Sequence, residues 1–308
     1  MSGDDKVEYV VVCGSLNMDF VCRGPRIPAH GETILGYDFS TSIGGKGGNQ
    51  AVALTNLGVT TYMIGCLGKD MYGDEIYEAL KEKGVNAETV KRVDQTTGTA
   101  HIMIEDSGEN NIVVIPSANM VVSPELVKES EELISGACVL LTQLEISLET
   151  VKEFMLLGKK YNILNVLNPA PIPPEGISDE LLALVDILNP NESEMKHLTG
   201  IEVLDKESFI KAANILHDKG VAQVICTVGA NGAYYSDGKK VYFQTAFKVK
   251  AVDTTCAGDS FTGAFIVRLL EGAEVPDALE FAAKVASLTV MKPGAQDSIP
   301  KRKEVDAI

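Results

Sequence analysis

The chain has 308 residues, enough for one large α/β domain or two smaller ones with a sizeable core. Hydrophobic residues at 45% and charged residues at 23% are ordinary for a soluble globular protein and exclude a disordered or fibrous chain. A net charge of −16 argues against nucleic acid or an anionic membrane surface as partner, though not against a small anion in a local pocket.

The opening, MSGDDKVEYVVVCGS, begins with acids and reaches only a short apolar run before a Gly. It lacks the basic flank and long apolar core of a signal peptide, and no stretch approaches a membrane span, so a cytoplasmic protein is expected, with the nucleus left open. The six Cys (13, 22, 66, 138, 226, 256) form no Cys-x-x-Cys pair. Four of them (Cys13, Cys66, Cys138, Cys226) sit in apolar strand-like runs, which reads as reduced thiols in a cytosolic core.

After the first strand, EYVVVCG, comes SLNMDF, where Asn17 and Asp19 stand two apart. On extended backbone both face one way and suit the vicinal hydroxyls of a sugar; turn capping accounts for them equally well. Residues 18 to 44 then offer strands and turns but no helix, which predicts a hairpin. SIGGKGGNQA, 42 to 51, is Gly-rich and precedes a helix. It is not a Walker A loop, because Gly47 stands where Ser or Thr is required and Ser40 where the first Gly belongs. Gln50 at the third Gly position also rules out a dinucleotide fingerprint. A flexible turn that brings backbone and Asn49 to a compact polar ligand remains, beside the plainer reading of a loop that needs Gly for its dihedrals.

Strand TTYMIGCLG and helix GDEIYEALKEKG follow, then a second hairpin region at 89 to 115. Both hairpins lie in the N-terminal half, so they predict a small antiparallel sheet projecting as a lid. Beyond it, helix SPELVKESEELISG, strand ACVLLTQLE, helix SLETVKEFMLLGKKY, strands NILNVLNPA and VDILNPN, helix DKESFIKAANILHDKG and strand AQVICTVG alternate. The alternation predicts an α/β fold with a largely parallel sheet covered by helices on both faces, as a single domain over 1–308. Ligands of such sheets bind beyond the strands' carboxyl ends. Asn17, Asp19, Glu145, Asn168, Asn191, Glu194 and Gly229 all follow predicted strands, and Asp253 and Asp259 follow FKVKAV in the same manner. For Asn191 and Glu194 in NESEMKHLTG, a helix cap and capping box is the favoured reading. His30, His101, His197 and His217 show no metal spacing, and no Ser sits in a Gly-x-Ser-x-Gly elbow.

DTTCAGDSFTG, 253 to 263, runs into the apolar helix FTGAFIVRLLEG. Backbone N–H groups of Ala257, Gly258 and Asp259 would point at whatever sits above that helix start, and a transferring phosphoryl group suits the place. Asp259 is either a cap or a base that takes the proton of an attacking hydroxyl.

GGKGGNQAVALTNLGVTTYMIGCLG at 44 to 68 and DTTCAGDSFTGAF at 253 to 265 resemble the two signatures of the ribokinase-type, or phosphofructokinase-B, family of sugar kinases, and the resemblance covers nearly the whole chain. GGKGGNQA, NPAP at 168 to 171 and KPGAQ at 292 to 296 look more like ribokinases than fructokinases or adenosine kinases. The resemblance implies a doubly wound, mostly parallel sheet with a β-lid, and D-ribose phosphorylated at O5 by ATP. It implies Asn17, Asp19, Gly44, Gly45, Lys46, Asn49 and Glu145 around the sugar, Asp259 as base, and Cys256, Ala257 and Gly258 at the anion hole. Asn191 and Glu194 would be linked through water to Mg²⁺, and Thr227, Gly229 and Gly232 would line the nucleotide. A monovalent cation, usually K⁺, would sit on Asp253, Thr255, Thr289, Lys292, Gly294 and Ser298, largely through carbonyls. A homodimer through the lid is implied as well. Another pentose, a ketohexose or a nucleoside is the alternative substrate, and a non-catalytic sensor the alternative role; intact Asp259, Asn191 and Glu194 count against the last. Three positions depart from the family: Cys256 replaces Gly, Ala or Ser, with a thiol whose pKa the helix start would lower. Lys292 replaces a common Arg, and Ala283 a polar residue facing the nucleotide.

Overall fold

The computed structural model describes residues 8–307; the acidic opening read at the N-terminus falls in residues 1–7, outside them. The chain starts on β1 (Tyr9–Cys13), forms β2 (Asn17–Gly24) and β3 (Asp38–Gly44), and continues through α1 (Lys46–Asn56), β4 (Thr60–Gly68), α2 (Met71–Glu82) and β5 (Val90–Val93). Strands β6 (Gly98–Glu105) and β7 (Asn110–Ile115) precede α3 (Pro124–Glu129), α4 (Glu131–Ser135), β8 (Val139–Thr142), α5 (Leu148–Tyr161) and β9 (Leu164–Leu167). Then come α6 (Asp179–Leu182), β10 (Ile187–Leu188), α7 (Glu192–Thr199), α8 (Lys206–Asp218) and β11 (Gln223–Thr227). A hairpin of β12 (Gly232–Ser236) and β13 (Val241–Thr245) leads to α9 (Ala257–Leu270), α10 (Val275–Thr289) and α11 (Arg302–Asp306).

Among the described residues, nine strands form one sheet in the order β13-β12-β11-β10-β9-β8-β1-β4-β5, parallel except for β12 and β13. Its strands are apolar without alternation because both faces are covered. In β1, Val10 and Val12 enter the core beneath α1, α9 and α10, while Val11 and Cys13 enter the one beneath α5 and α8. The chain moves from β1 outward to β4 and β5, then crosses back to β8 on the other side. That reversal makes the carboxyl ends of β1 and β8 the switch point where open α/β sheets bind ligands.

The second sheet has the order β3-β2-β6-β7. Each hairpin is antiparallel as expected, and the two join through a parallel β2–β6 pair. Its second segment begins at Gly98 rather than near 89, because Val90–Val93 pairs in parallel with β4 and so belongs to the large sheet.

Three further expectations are corrected. FKVKAV forms no strand: its alternating pattern has no buried face, and Phe247, Val249 and Val252 are all exposed. SPELVKESEELISG breaks into two helices at Ser130, whose side chain bonds back to the Leu126 carbonyl at 3.0 Å. GGKGGNQ is no flexible turn, since the turn ends at Gly45 and Lys46 already begins α1.

Candidate active site

A cavity of about 990 Å³ lies where the small sheet meets the carboxyl ends of the large one. Strand β2 contributes Asn17 and Asp19, and the start of α1 contributes Gly45, Lys46 and Asn49. Glu145 and Asn168 reach it from beyond β8 and β9, Asn191 and Glu194 from the head of α7, and Thr227 from the end of β11. Asp253 and the run from Thr255 to Asp259 close it together with Gly294. Residues far apart in sequence thus share one wall because the carboxyl ends of the large sheet, the small sheet and the loop before α9 converge on it.

Helix α9 begins at Ala257, with Cys256 as its N-cap. The Ala257 N–H turns back to the Thr254 carbonyl at 3.3 Å, which leaves the N–H groups of Gly258 and Asp259 without partners among the described residues. A Cβ built on Gly258 meets nothing within 4 Å, so the space in front of these donors is open. Asp259 is not a cap. Its buried carboxylate accepts Asn49 Nδ2 at 3.0 Å and Gln50 Nε2 at 2.9 Å. The expected lowering of the Cys256 thiol pKa is corrected: burial pushes it well above its ordinary value, and the charges of Asp259 and Asp19 push the same way.

At the other end, Asn119 Oδ1 accepts the Leu16 N–H at 2.9 Å, so its Nδ2 must donate to Asn17 Oδ1, at 2.7 Å. The Asn17 amide therefore offers its N–H groups to the cavity. Asn49 does the reverse: with Nδ2 spent on Asp259, its buried Oδ1 has no partner among the described residues. Asp19 sits against Gly44, where a Cβ would stand 2.2 Å from its carboxylate, and Gly45 turns into α1 at φ 85°. Burial raises the Asp19 pKa to about 7, helped by Glu145 and Asp259 and opposed by Lys46. Glu145 accepts the Ser15 hydroxyl and, at 3.0 Å, the Lys46 N–H, so it caps α1. Burial alone would depress the Lys46 ammonium, but Asp259, Glu145 and Glu194 outweigh it and hold its pKa up. The arrangement offers donors, acceptors, a cation and anions at close quarters, which suits a polyhydroxylated ligand.

Asn191 and Glu194 form the expected capping box, with the Asn191 side chain accepting the Glu194 N–H at 2.9 Å and the Asn191 N–H reaching Glu194 Oε2 at 2.8 Å. Both still line the cavity, and burial raises the Glu194 pKa. Thr227 lines it too, whereas Gly229 and Gly232 lie outside its wall. A Cβ on Gly232 would stand 1.9 Å from the Gln244 carbonyl, so the β12–β13 pairing explains that glycine. Ala283 is buried in the core.

The loop at 253–255 docks on the one at 290–298, where Asp253 accepts the Thr255 N–H at 2.9 Å and the Gly294 N–H at 3.0 Å. Thr289 Oγ1 bonds Ser260, Ser298 Oγ bonds the Ala295 carbonyl, and Lys292 turns its ammonium out to Glu304. Two histidines have packing partners: His217 bridges the Val221 carbonyl and Ser236, and His101 stacks on Phe20.

Sequence reasoning missed Gln50, Gln143 and Asn119. Gln143 left a signal, a polar residue inside the apolar run VLLTQL, where a buried amide has to find partners. Gln50 left none, since it is adjacent to Asn49 on a helix and such neighbours do not ordinarily face one target.

The pfkB family of carbohydrate kinases matches residues 7–302, and the chain belongs to that family. It is 42% identical to the ribokinase of Haemophilus influenzae and 40% identical to that of Schizosaccharomyces pombe, in each case over 96% of both chains. Its fold superposes with a TM-score of 0.90 on Arabidopsis thaliana ribokinase complexed with ribose and ATP, at 36% identity and 98% coverage of both chains. A ribokinase from Giardia lamblia gives a TM-score of 0.91 at 31% identity, again over 98% of both chains.

Proposed function

We propose that the protein is an ATP-dependent sugar kinase that transfers the γ-phosphoryl group to O5 of D-ribose. The observation that carries this reading is the pairing at the start of α9: a buried carboxylate held by two amides, beside two free backbone N–H groups that face open space. Asp259 takes the hydroxyl proton, and the N–H groups of Gly258 and Asp259 meet the charge that develops on the phosphoryl oxygens. Asn17, Asp19, Lys46, Asn49 and Glu145 grip the sugar through the complementary donors and acceptors described above, with Gly44 and Gly45 giving the room. Ala257 and Cys256 shape the turn beneath the phosphate.

ATP lies toward Asn191, Glu194 and Thr227, with Gly229 and Gly232 shaping the adjacent turn. Glu194 retains lone pairs beyond its capping bonds, which fits Mg²⁺ held through water; bound there, the ion neutralises phosphate charge. The paired 253–255 and 290–298 loops fit K⁺ on Asp253, Thr255, Thr289, Lys292, Gly294 and Ser298, mostly through carbonyls. The chain acts as one domain in which the small sheet is a lid that excludes water from the reacting groups. A homodimer through that lid and a cytoplasmic setting complete the proposal; among the described residues no helix is long and apolar enough to cross a membrane.

Release of ADP, followed across a panel of pentoses, ketohexoses and nucleosides with and without K⁺, tests the reading. Ribose is expected to give the highest kcat/KM and K⁺ to raise it. Asp259→Asn is expected to bind ribose and lose about 10²-fold or more in kcat, the scale of a lost general base. Turnover near wild type in that variant would remove Asp259 from the role, and no ADP release with any acceptor would leave the sensor reading.

A further inference from the structure

We propose that Gln50, anchored by Gln143, is the positioning residue for Asp259: it fixes which carboxylate oxygen faces the acceptor hydroxyl. The inference rests on the reading of Asp259 as base. Gln50 is fully buried in the first turns of α1, and its Nε2 donates to Asp259 Oδ1 at 2.9 Å. A carboxylate only accepts, so Gln50 must present its nitrogen to it. Its oxygen then needs a donor, and Gln143 Nε2 supplies one at 2.6 Å. The second Gln50 N–H goes to Asn168 Oδ1 at 3.2 Å, and Asn168 is itself oriented by its Nδ2 bond to the Asn189 carbonyl at 2.8 Å. A flipped Gln50 amide would set oxygen against oxygen at both Asp259 and Asn168.

The two amides that hold Asp259 differ in place. Asn49, on Oδ2, lines the cavity, and Gln50, on Oδ1, lies behind it. Oδ1 is therefore anchored inward and Oδ2 is the oxygen presented to the substrate. As the O5–phosphorus bond forms, the O5 proton passes to Oδ2. The bond between the γ-phosphorus and the bridging oxygen breaks, and its electron pair leaves with ADP; Asp259 later returns the proton to solvent.

Three variants test this by kcat and KM for ribose, with ribose binding followed by calorimetry. Gln50→Glu sets a carboxyl oxygen where the donated N–H stood, so kcat is expected to fall roughly 10–100-fold while KM and ribose affinity stay within about threefold. Gln50→Leu removes the donor from Oδ1 and is expected to lower kcat by about tenfold with the same unchanged ribose affinity. Gln143→Met, one side chain further from the chemistry, frees the Gln50 amide and should lower kcat the same way by less; it carries the test if Gln50→Leu does not fold. Wild-type kcat in these variants, or losses confined to KM, would overturn the proposal. Full activity in Asp259→Asn would instead overturn the base assignment beneath it. An inactive Asp259→Asn alongside Gln50 and Gln143 variants of wild-type kcat defeats the positioning role alone.

Discussion

Asp19 illustrates what a single burial does to chemistry. Its pKa of about 7 lies far above the ordinary value for an aspartate, so between about pH 4 and 7 the folded chain holds a proton that the unfolded chain has lost. Its contribution to stability therefore declines as pH rises through that window and is level above it. Sugar binding should run the other way, because the ionised carboxylate accepts stronger hydrogen bonds from hydroxyls. A charged hydrogen bond exceeds a neutral one by about 1–2 kcal/mol, and a group of pKa about 7 limits the change over this range to about 30-fold, so ribose affinity is expected to improve roughly 5–30-fold from pH 5.5 to 8. Calorimetric titration across that range checks this, and Asp19→Asn should bind weakly with a flat profile; a flat wild-type profile would refute it. Cys256 carries a different constraint, φ 64° in a residue with a side chain. Cys256→Gly removes the strain but loosens the unfolded chain, so the melting midpoint and kcat are expected to stay near wild type. Iodoacetamide should label exposed Cys22 and spare Cys256, read by mass spectrometry. Asp259 and the Asn17/Asp19 pair were legible because short motifs encode them. The inner partners Gln50 and Gln143, and the direction of the Cys256 shift, were not, because both depend on burial created by segments distant in sequence, Gln50 standing 93 residues from Gln143 and 209 from Asp259.

Helix α1 shows why an element can be misread while its neighbours are plain. Four glycines in GGKGG look like a loop, yet Gly47 is helical and its missing Cβ would stand 2.6 Å from the Ser15 nitrogen and 2.7 Å from the Gly14 carbonyl carbon. The composition answers to close packing on the β1–β2 connection, a tertiary demand that no local pattern reveals. Gly47→Ala should push α1 away from β1, costing about 1–3 kcal/mol of stability and raising KM for ribose, since Lys46 and Asn49 ride on the same turn. Gly258→Ala should behave oppositely. Its Cβ meets no protein atom, so the melting midpoint holds, but it occupies the space before the free N–H groups and kcat falls. Matching losses of stability in both variants would contradict this division. Most other elements were legible because caps and apolar periods agree: Ser147 and Asp205 each cap the helix whose expected segment they open, while α2 starts two residues ahead of the expected GDEIYEALKEKG, capped by Asp70. FKVKAV failed because alternation predicts a strand only where one face finds a core. The β12–β13 hairpin lacked a counterpart among the expected strands, although Asp237 turns it by accepting the N–H groups of Lys239 and Lys240.

At the scale of the molecule, the small sheet is the part whose exposure is out of keeping with its composition. Every residue of β7 is exposed, including Ile112 at 53%, Val113 at 62%, Val114 at 42% and Ile115 at 47%. Ile112 and Val114 face the cavity, where a closing lid would lay them over a bound sugar, while Val113 and Ile115 point to the opposite face. The sequence pattern NNIVVIP showed a hairpin there but had no means of showing that the chain covers neither face. An uncovered apolar edge strand invites pairing with another chain, and a second copy paired on this sheet would hide that edge and brace the lid. Val113→Lys combined with Ile115→Lys puts charge on the outer face without entering the cavity. The expected result is a dimeric wild type and a monomeric double variant in sedimentation velocity, with KM for ribose raised in the variant and its melting profile still cooperative. A wild type that is monomeric at tens of micromolar, or a dimer indifferent to the lysines, would place the subunit contact elsewhere and leave β7 to serve the substrate alone.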